Sequence, residues 1–227
     1  RKDNLYVADA RGGVYKVDPV TGKKELAVML PAALDNLTFS PDNRMFVSSS
    51  TFGKIWEIIP GQPPRVVLDG GLSMAGGVTL KVRPNGGLSL FVADMMGLWE
   101  FDARTGAAIG HAKDVEMGQP IYVNIGTVTD TDTHGDDVLV SSTIKNFVKI
   151  WDPRAKRTKQ VFKSFATPTA VASLGSDFAV AELAKGRVLK VTPQIVADQP
   201  IPDTPVFQET IADGLQAPGA LAFAEGR

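Results

Sequence analysis

A short pattern of strand-forming residues recurs five times and constrains the fold more than any other feature of the sequence. Its first part is a run of β-branched and aromatic residues that ends in a small or acidic residue, at positions 5–9, 45–49, 90–94, 138–142 and 178–182. The runs start 40, 45, 48 and 40 residues apart. A period of this length is typical of repeat architectures in which each unit is one small sheet.

Three further stretches complete each unit. A second β-branched or aromatic run follows the first after three to five residues, as at positions 14–19 and 55–60, with turn-forming residues on either side. A stretch of small apolar residues precedes the first run, and a more polar stretch follows the second. Four strands in a repeat of about 40 to 45 residues predict the blade of a β-propeller, with the most apolar strand innermost.

We therefore predict an all-β fold of five four-stranded antiparallel blades, which form a single domain over residues 1–227. The chain begins with three strands of a blade and ends at positions 217–223 with an inner-strand pattern. Pairing of these N- and C-terminal strands would close the propeller and remove an exposed sheet edge. The alternative is a chain cut from a longer array, in which case a sixth blade lies outside it.

The pattern LYVAD at positions 5–9, followed by GVYKVDPVTG up to Gly22 and by LTFSPDNRMFVSSS at positions 37–50, resembles NHL-repeat and SMP-30/gluconolactonase-like propellers. The resemblance covers essentially the whole chain. Members of that superfamily usually have six blades, whereas this sequence contains five repeats. The resemblance implies a possible activity as a divalent-metal-dependent lactonase or hydrolase.

The resemblance also implies a metal site on the propeller axis, at the starts of the inner strands. The equivalent positions in this chain are Asp35, Gly76, Ile121, Thr169 and Gly219, and only Asp35 is a plausible ligand. Ca²⁺ takes about six to eight oxygen ligands, which Asp35 and the neighbouring Asn36 do not supply. We therefore favour a non-catalytic binding or interaction module with no catalytic residue and no cofactor, and keep the metal-dependent lactonase as the alternative.

The binding site of such a module is expected at the axial mouth, where a small ligand or a loop of a partner protein would be held. Polar side chains from the strand ends should line this mouth, inside an outer ring of acidic residues. The inner set is Asp35, Asn36, Gln119 and Thr169, and the ring is Asp9, Asp94 and Glu182. A structural role for the ring is the alternative, because short oxygen-bearing side chains at strand ends can accept hydrogen bonds from the following turn.

The densest acidic segment contains Asp130, Asp132 and Asp136, with Gly135 at the sixth position, and resembles the start of a calcium loop. His134 stands where such a loop has an oxygen ligand. The segment also joins two strands of one repeat, where a turn rich in Gly, Asp and Thr is expected without any metal. We favour the plain turn, with a weak Ca²⁺ site as the alternative.

Composition excludes several classes of function. With 24 Lys and Arg against 25 Asp and Glu, the chain lacks the excess positive charge typical of nucleic-acid binding. It has no cysteine, and hence no disulfide. Its longest apolar stretch, positions 27–34, is interrupted by Pro31 and is far shorter than the roughly 18 to 20 residues of a membrane span. A start at Arg1 without a leader indicates a fragment or a mature form whose signal was removed, and the second interpretation implies an extracytoplasmic location.

Overall fold

The computed structural model of the chain describes residues 4–95, 97–112, 120–126, 137–193 and 206–222, with the backbone alone described at 120–126 and 206. Within these ranges the chain forms nineteen β-strands and no helix. None of the described segments is therefore a helix long and apolar enough to cross a membrane. The strands form five sheets, which are called blades 1 to 5 in chain order.

Each blade consists of consecutive strands. Blade 1 contains β1 (Leu5–Ala8), β2 (Gly13–Val17) and β3 (Lys24–Met29). Blade 2 contains β4 (Leu34–Phe39), β5 (Met45–Ser49), β6 (Lys54–Ile58) and β7 (Arg65–Asp69). Blade 3 contains β8 (Val78–Val82), β9 (Leu88–Asp94), β10 (Gly97–Asp102) and β11 (Ala108–Ala112). Blade 4 contains β12 (Pro120–Gly126), β13 (Asp137–Ser142), β14 (Phe147–Asp152) and β15 (Arg157–Phe162). Blade 5 contains β16 (Pro168–Leu174), β17 (Asp177–Glu182), β18 (Arg187–Pro193) and β19 (Val206–Ala212).

The chain is an all-β, five-bladed β-propeller, as the repeat predicts. Strands that are neighbours in a blade are also neighbours in sequence, so each blade is a meander. The two recurring runs form the second and third strands of every blade. The second strand β5 is buried along its whole length and most of the outer strand β3 is exposed, as the predicted gradient requires, but the inner strand β4 is only partly buried after Leu34.

The predicted inner strand of blade 1 is not formed within the described residues, where this blade has three strands. Gly219–Ala222 of the C-terminal segment lie outside any strand. The backbone just before them is unsuited to a ladder, because Ala217 has a φ of 50° and Pro218 has no N–H to donate. Pairing of the C-terminal segment with β1 stays a prediction.

The described residues group into two compact units. The first contains the residues up to Met95 together with Glu100–Gly110, and the second contains residues 97–99 and those from His111 onward. In the first unit, the core is built around Val14, Val47 and Trp56. In the second unit, the core includes Phe162 and Phe178, whose ring centroids lie 5.2 Å apart, together with eight further apolar residues of blades 4 and 5. The single-domain assignment stays a prediction.

Candidate functional site

The inner strand of blade 2 begins with a β-bulge. The register of β4 against β5 shifts between Leu34 and Leu37, so that Asp35 and Asn36 both lie opposite Ser48. A bulge takes a residue out of the regular ladder and changes the direction in which its side chain points, and bulges are frequent beside functional sites. The only carboxylate predicted among the inner-strand starts therefore stands on an irregular piece of backbone.

The same irregularity occurs at the inner-strand starts of the next three blades. Before β8, Ala93 accepts a hydrogen bond from Gly76 N at 2.9 Å and donates one to Gly77 O at 2.8 Å, so two residues face one. In β12 the register shifts across positions 121 and 122, and in β16 it shifts at Thr169. Four of the five positions that the sequence analysis equated with one another therefore lie on bulges.

Ser48 fixes the bulge of blade 2 to the next blade. Its hydroxyl accepts a hydrogen bond from Asn36 N at 3.0 Å and donates one to Gly76 O at 2.7 Å. The serine is fully buried, so both bonds are shielded from water. The starts of two neighbouring inner strands are thus held together by one side chain, and Ser48 sets the position from which Asp35 projects.

The loop before the bulge is held by two neighbouring turns. Ala33 N donates a hydrogen bond to Ala10 O at 2.6 Å, in the β1–β2 turn, and Ala33 O accepts one from Ser50 N at 3.0 Å. Ala33 also has a φ of 67°, which non-glycine residues seldom adopt. The backbone around Asp35 is therefore specified from both sides by blades 1 and 2.

Asp35 has an unsatisfied carboxyl group. Its Oδ1 atom is buried, and no described residue forms a hydrogen bond with it. Burial raises the pKa of Asp35 from 3.8 to about 6, because the charged form loses water without gaining a partner. The residue as a whole is partly exposed, so the group lies at the surface of the site and not in the core. Buried polar atoms without partners are uncommon and mark places where a ligand or water completes the bonding.

The acidic ring positions in the first unit are occupied by protein donors. Asp9 accepts hydrogen bonds from Arg11 N at 2.8 Å and from Arg11 Nε at 3.1 Å. The arginine holds the pKa of Asp9 down, to about 2. The carboxylate of Asp94 accepts bonds from Met74 N at 2.7 Å and Ser73 N at 3.2 Å, and so holds the loop that leads to the inner strand of its own blade.

Glu182 has the same role in the second unit. Its Oε1 accepts a hydrogen bond from Ala166 N at 2.6 Å, just before β16, and its Oε2 accepts one from Arg187 Nε at 2.5 Å. These bonds favour the structural interpretation of the ring, with one difference from the expectation. The N–H groups that bond to Asp94 and Glu182 lie in the loop before the inner strand of the same blade. The expectation was a bond from the turn that follows the strand carrying the acid.

The remaining predicted site residues are divided between described and undescribed parts of the chain. Thr169 lies in the second unit, where its hydroxyl donates to Pro218 O at 2.6 Å. Gln119 and the acidic segment with Asp130, Asp132 and Asp136 lie outside the described residues. The structure brings Asp35 together with Asn36, Ser48 and Gly76. Ligand binding by the other predicted residues stays a prediction.

Sequence reasoning placed Gly76 at an inner-strand start, but it did not predict the part that Ser48 plays or the bond between the two residues. The only signals were two serines at the end of an apolar run and two adjacent glycines where a strand begins. As to metals, the described part of the chain contains no group of three or more His, Asp or Glu side chains placed to hold an ion. Asp35 is therefore not part of such a group within the described residues.

No family model matches the chain, and no curated protein does. Its fold is similar to a streptogramin B lyase structure, with 12% identity over 97% of this chain and 69% of that chain and a TM-score of 0.70. It is also similar to selenomethionine-substituted virginiamycin B lyase from Staphylococcus aureus, with 14% identity over 96% and 69% of the two chains and a TM-score of 0.67.

A third similar structure is a catalytically inactive histidine-to-alanine variant of the Staphylococcus aureus virginiamycin B lyase with quinupristin. It shares 14% identity over 96% of this chain and 76% of that chain, with a TM-score of 0.64. Likeness at such low identity concerns the fold alone. It supports the β-propeller, whereas the narrower resemblance to NHL-repeat and SMP-30-like propellers stays a prediction.

Proposed function

We propose that the protein is a non-catalytic binding module that takes a small ligand, or a loop of a partner protein, at the blade 2 bulge. The observation that carries this proposal is the buried Oδ1 of Asp35, which no described residue satisfies. A bulge held by Ser48 keeps this acceptor in a fixed position. Ligand sites generally combine a rigid scaffold with a few polar groups whose bonds are left for the ligand.

The surroundings of Asp35 favour binding over turnover. Acid–base and nucleophilic catalysis both require a second group that cooperates with the first. The Ser48 hydroxyl is already bonded to Asn36 N and Gly76 O, and the Asp94 carboxylate caps two backbone N–H groups. These groups are therefore not available to act with Asp35.

The competing function is enzymatic, and the likeness to streptogramin B lyases favours it. This chain has two histidines. His111 lies on β11, where its ring stacks on Trp99 with centroids 3.7 Å apart, and His134 lies outside the described residues. A lyase of this fold would have to use one of them or a different base. The lactonase alternative would instead use Asp35 with an added metal ion.

The binding proposal can be tested by a fragment screen with ¹H–¹⁵N NMR spectra. We expect some fragments to shift the amide signals of Asn36, Gly76 and Gly77, and we expect Asp35→Ala to abolish those shifts. Asp69→Ala is the matched control, because Asp69 is an exposed carboxylate of the same blade that pairs with Lys54. Fragments that shift only other amides, or that bind the Asp35→Ala variant equally well, would contradict the proposal.

The enzymatic alternatives need a separate assay. Purified protein would be incubated with quinupristin, and with a simple lactone in the presence and absence of Mg²⁺, Ca²⁺ or Mn²⁺. We expect no turnover of either compound. Metal-dependent lactone hydrolysis that disappears in Asp35→Ala would establish the lactonase, and cleavage of quinupristin that disappears in a histidine variant would establish the lyase.

A further inference from the structure

We propose that the ligand of the blade 2 bulge carries a primary ammonium group that donates a hydrogen bond to the Asp35 carboxylate. This inference rests on the proposed binding function and specifies the chemistry of the ligand. It is argued from the hydrogen bonds and ion pairs described around the site, none of which satisfies the Oδ1 atom of Asp35.

The backbone donors at the site are already committed to other acceptors. Asn36 N donates to Ser48 Oγ, and the Ser48 hydroxyl in turn donates to Gly76 O. Ser50 N donates to Ala33 O, while Gly76 N donates to Ala93 O. A donor for Asp35 Oδ1 must therefore come from outside the described chain.

The ion pairs described in the first unit do not include Asp35. Arg11 pairs with Asp9 at 3.0 Å, and Lys54 pairs with Asp69 at 2.6 Å. Three arginines of this unit bind acidic groups on third strands or in a turn: Arg44 with Asp42 and Glu57, Arg65 with Glu57, and Arg83 with Asp102. An ionised carboxyl group that is partly buried without a counter-ion is unfavourable, and a cationic ligand would remove that penalty.

The form of the cation is limited by the carboxyl group. A guanidinium group binds best to two coplanar oxygens, whereas the buried acceptor of Asp35 that lacks a partner is a single atom, Oδ1. A divalent metal needs several oxygen ligands, and the described residues contain no group of three or more suitable side chains. A compact ammonium group needs one carboxylate oxygen, with carbonyl groups or water for its other protons.

The test compares three small probes by NMR titration of the Asn36, Gly76 and Gly77 amides. The probes are n-butylammonium, the similarly sized neutral n-butanol, and tetramethylammonium, which has the charge without an N–H donor. The titrations are done at about pH 7.5, where a group with a pKa of about 6 is ionised. We expect n-butylammonium to bind about tenfold more tightly than either of the other probes, which corresponds to about 1.4 kcal/mol.

Two variants connect the binding to the carboxylate. Asp35→Asn keeps the size of the side chain and removes its charge, and we expect it to bind all three probes equally weakly. Asp69→Asn makes the same change at the exposed ion pair with Lys54, and we expect it to bind n-butylammonium like the unaltered protein. The spectra themselves show whether each variant is folded.

Several outcomes would overturn the ammonium proposal. If n-butanol shifted the same amides as strongly as n-butylammonium, the site would bind ligands without selecting for a cation, and the proposed binding function would stand. Equal binding of tetramethylammonium would show selection for charge without a hydrogen bond. If no probe shifted these amides, the ammonium proposal would be wrong, and the fragment screen would decide separately whether the site binds ligands at all.

Discussion

The buried carboxylates in the described part of the chain all have partners: arginine for Glu57 and Glu182, Lys159 for Asp137, and two backbone N–H groups for Asp94. The Glu57 side chain is 3% exposed and pairs with Arg44 at 2.6 Å and with Arg65 at 2.6 Å. The Glu182 side chain is 0% exposed and pairs with Arg187 at 2.5 Å. A buried charge is tolerated only with such compensation. Asp35 is thus an exception within its own protein, and the exception lies at the one inner-strand start that carries an acid.

The raised pKa of Asp35 predicts a specific dependence of stability on pH. Between about pH 4 and pH 6 the folded protein retains the Asp35 proton, which the unfolded chain, with a pKa near 3.8, has released. The free energy of unfolding should therefore fall as the pH rises through this range, by up to about 3 kcal/mol from this group. Asp35→Asn should remove this fall in the free energy of unfolding. At neutral pH the variant should therefore be more stable than the unaltered protein.

Urea denaturation of both proteins at several pH values between about 4 and 7 measures this effect. The quantity of interest is the difference between the variant and the unaltered protein. Groups such as Asp9, whose pKa is held low, contribute equally to both proteins and cancel in that difference. A difference that does not change with pH would show that Asp35 has an ordinary pKa.

At the scale of elements, the turn between β5 and β6 packs closely against the loop that follows β7. Gly53 has a φ of 58°, and a Cβ atom at this position would lie 2.7 Å from Leu72 O. Gly61, in the turn after β6, has a φ of 78° and open space around its Cα. The two glycines share the left-handed backbone, but only Gly53 is also limited by a neighbouring carbonyl group.

Gly53→Ala should therefore destabilise the protein more than Gly61→Ala. The left-handed backbone alone costs an alanine roughly 1–2 kcal/mol in either turn. The clash with the Leu72 carbonyl should add at least about 1 kcal/mol at Gly53, because backbone must move to relieve it. Thermal unfolding of both variants measures the difference. Equal melting temperatures would mean that the loop after β7 moves away from the added methyl group without a loss of stability.

Sequence patterns predicted the strands but not the bulges. A short apolar run bounded by turn residues, such as the first three residues of Met45–Ser49, indicates a buried strand, and this pattern recurs in all five repeats. A bulge forms where two residues of one strand lie opposite a single residue of its partner strand. Nothing in the sequence around Asp35 and Asn36 indicates that they are such a pair. The bonds of Ser48 connect it to Asn36, 12 residues away, and to Gly76, 28 residues away and next to the following blade. The short sequence pattern of a single strand does not indicate either partner.

At the scale of the whole molecule, the C-terminal segment is expected to contribute to stability through its contacts with blade 5. Pro218 O accepts a hydrogen bond from Thr169, and Leu221 packs against a cluster that includes Ala170 and Ala181. Deletion of residues 217–227 should lower the free energy of unfolding by about 2 kcal/mol, or roughly 4–8 °C in Tm for a chain of this size.

Differential scanning calorimetry of the truncated protein measures this loss. Thr169→Val is the companion variant, because it keeps the shape of the side chain and removes the hydroxyl group, which bonds to Pro218 O at 2.6 Å and to Ala181 O at 3.3 Å. Its Tm should fall less than that of the truncated chain. An unchanged Tm in the truncated chain would show that the segment contributes nothing to the folded state.

Three side-chain hydroxyl groups bond to main-chain carbonyl groups of a following blade or of the C-terminal segment, and these bonds bear on how such a chain can change in sequence. Ser48 binds the carbonyl of Gly76, Thr143 binds that of Pro168, and Thr169 binds that of Pro218. Every amino acid has a main-chain carbonyl, so these joints place no demand on the side chain of the accepting residue. The residues at the accepting positions of these repeats can therefore change in type while the blades remain joined.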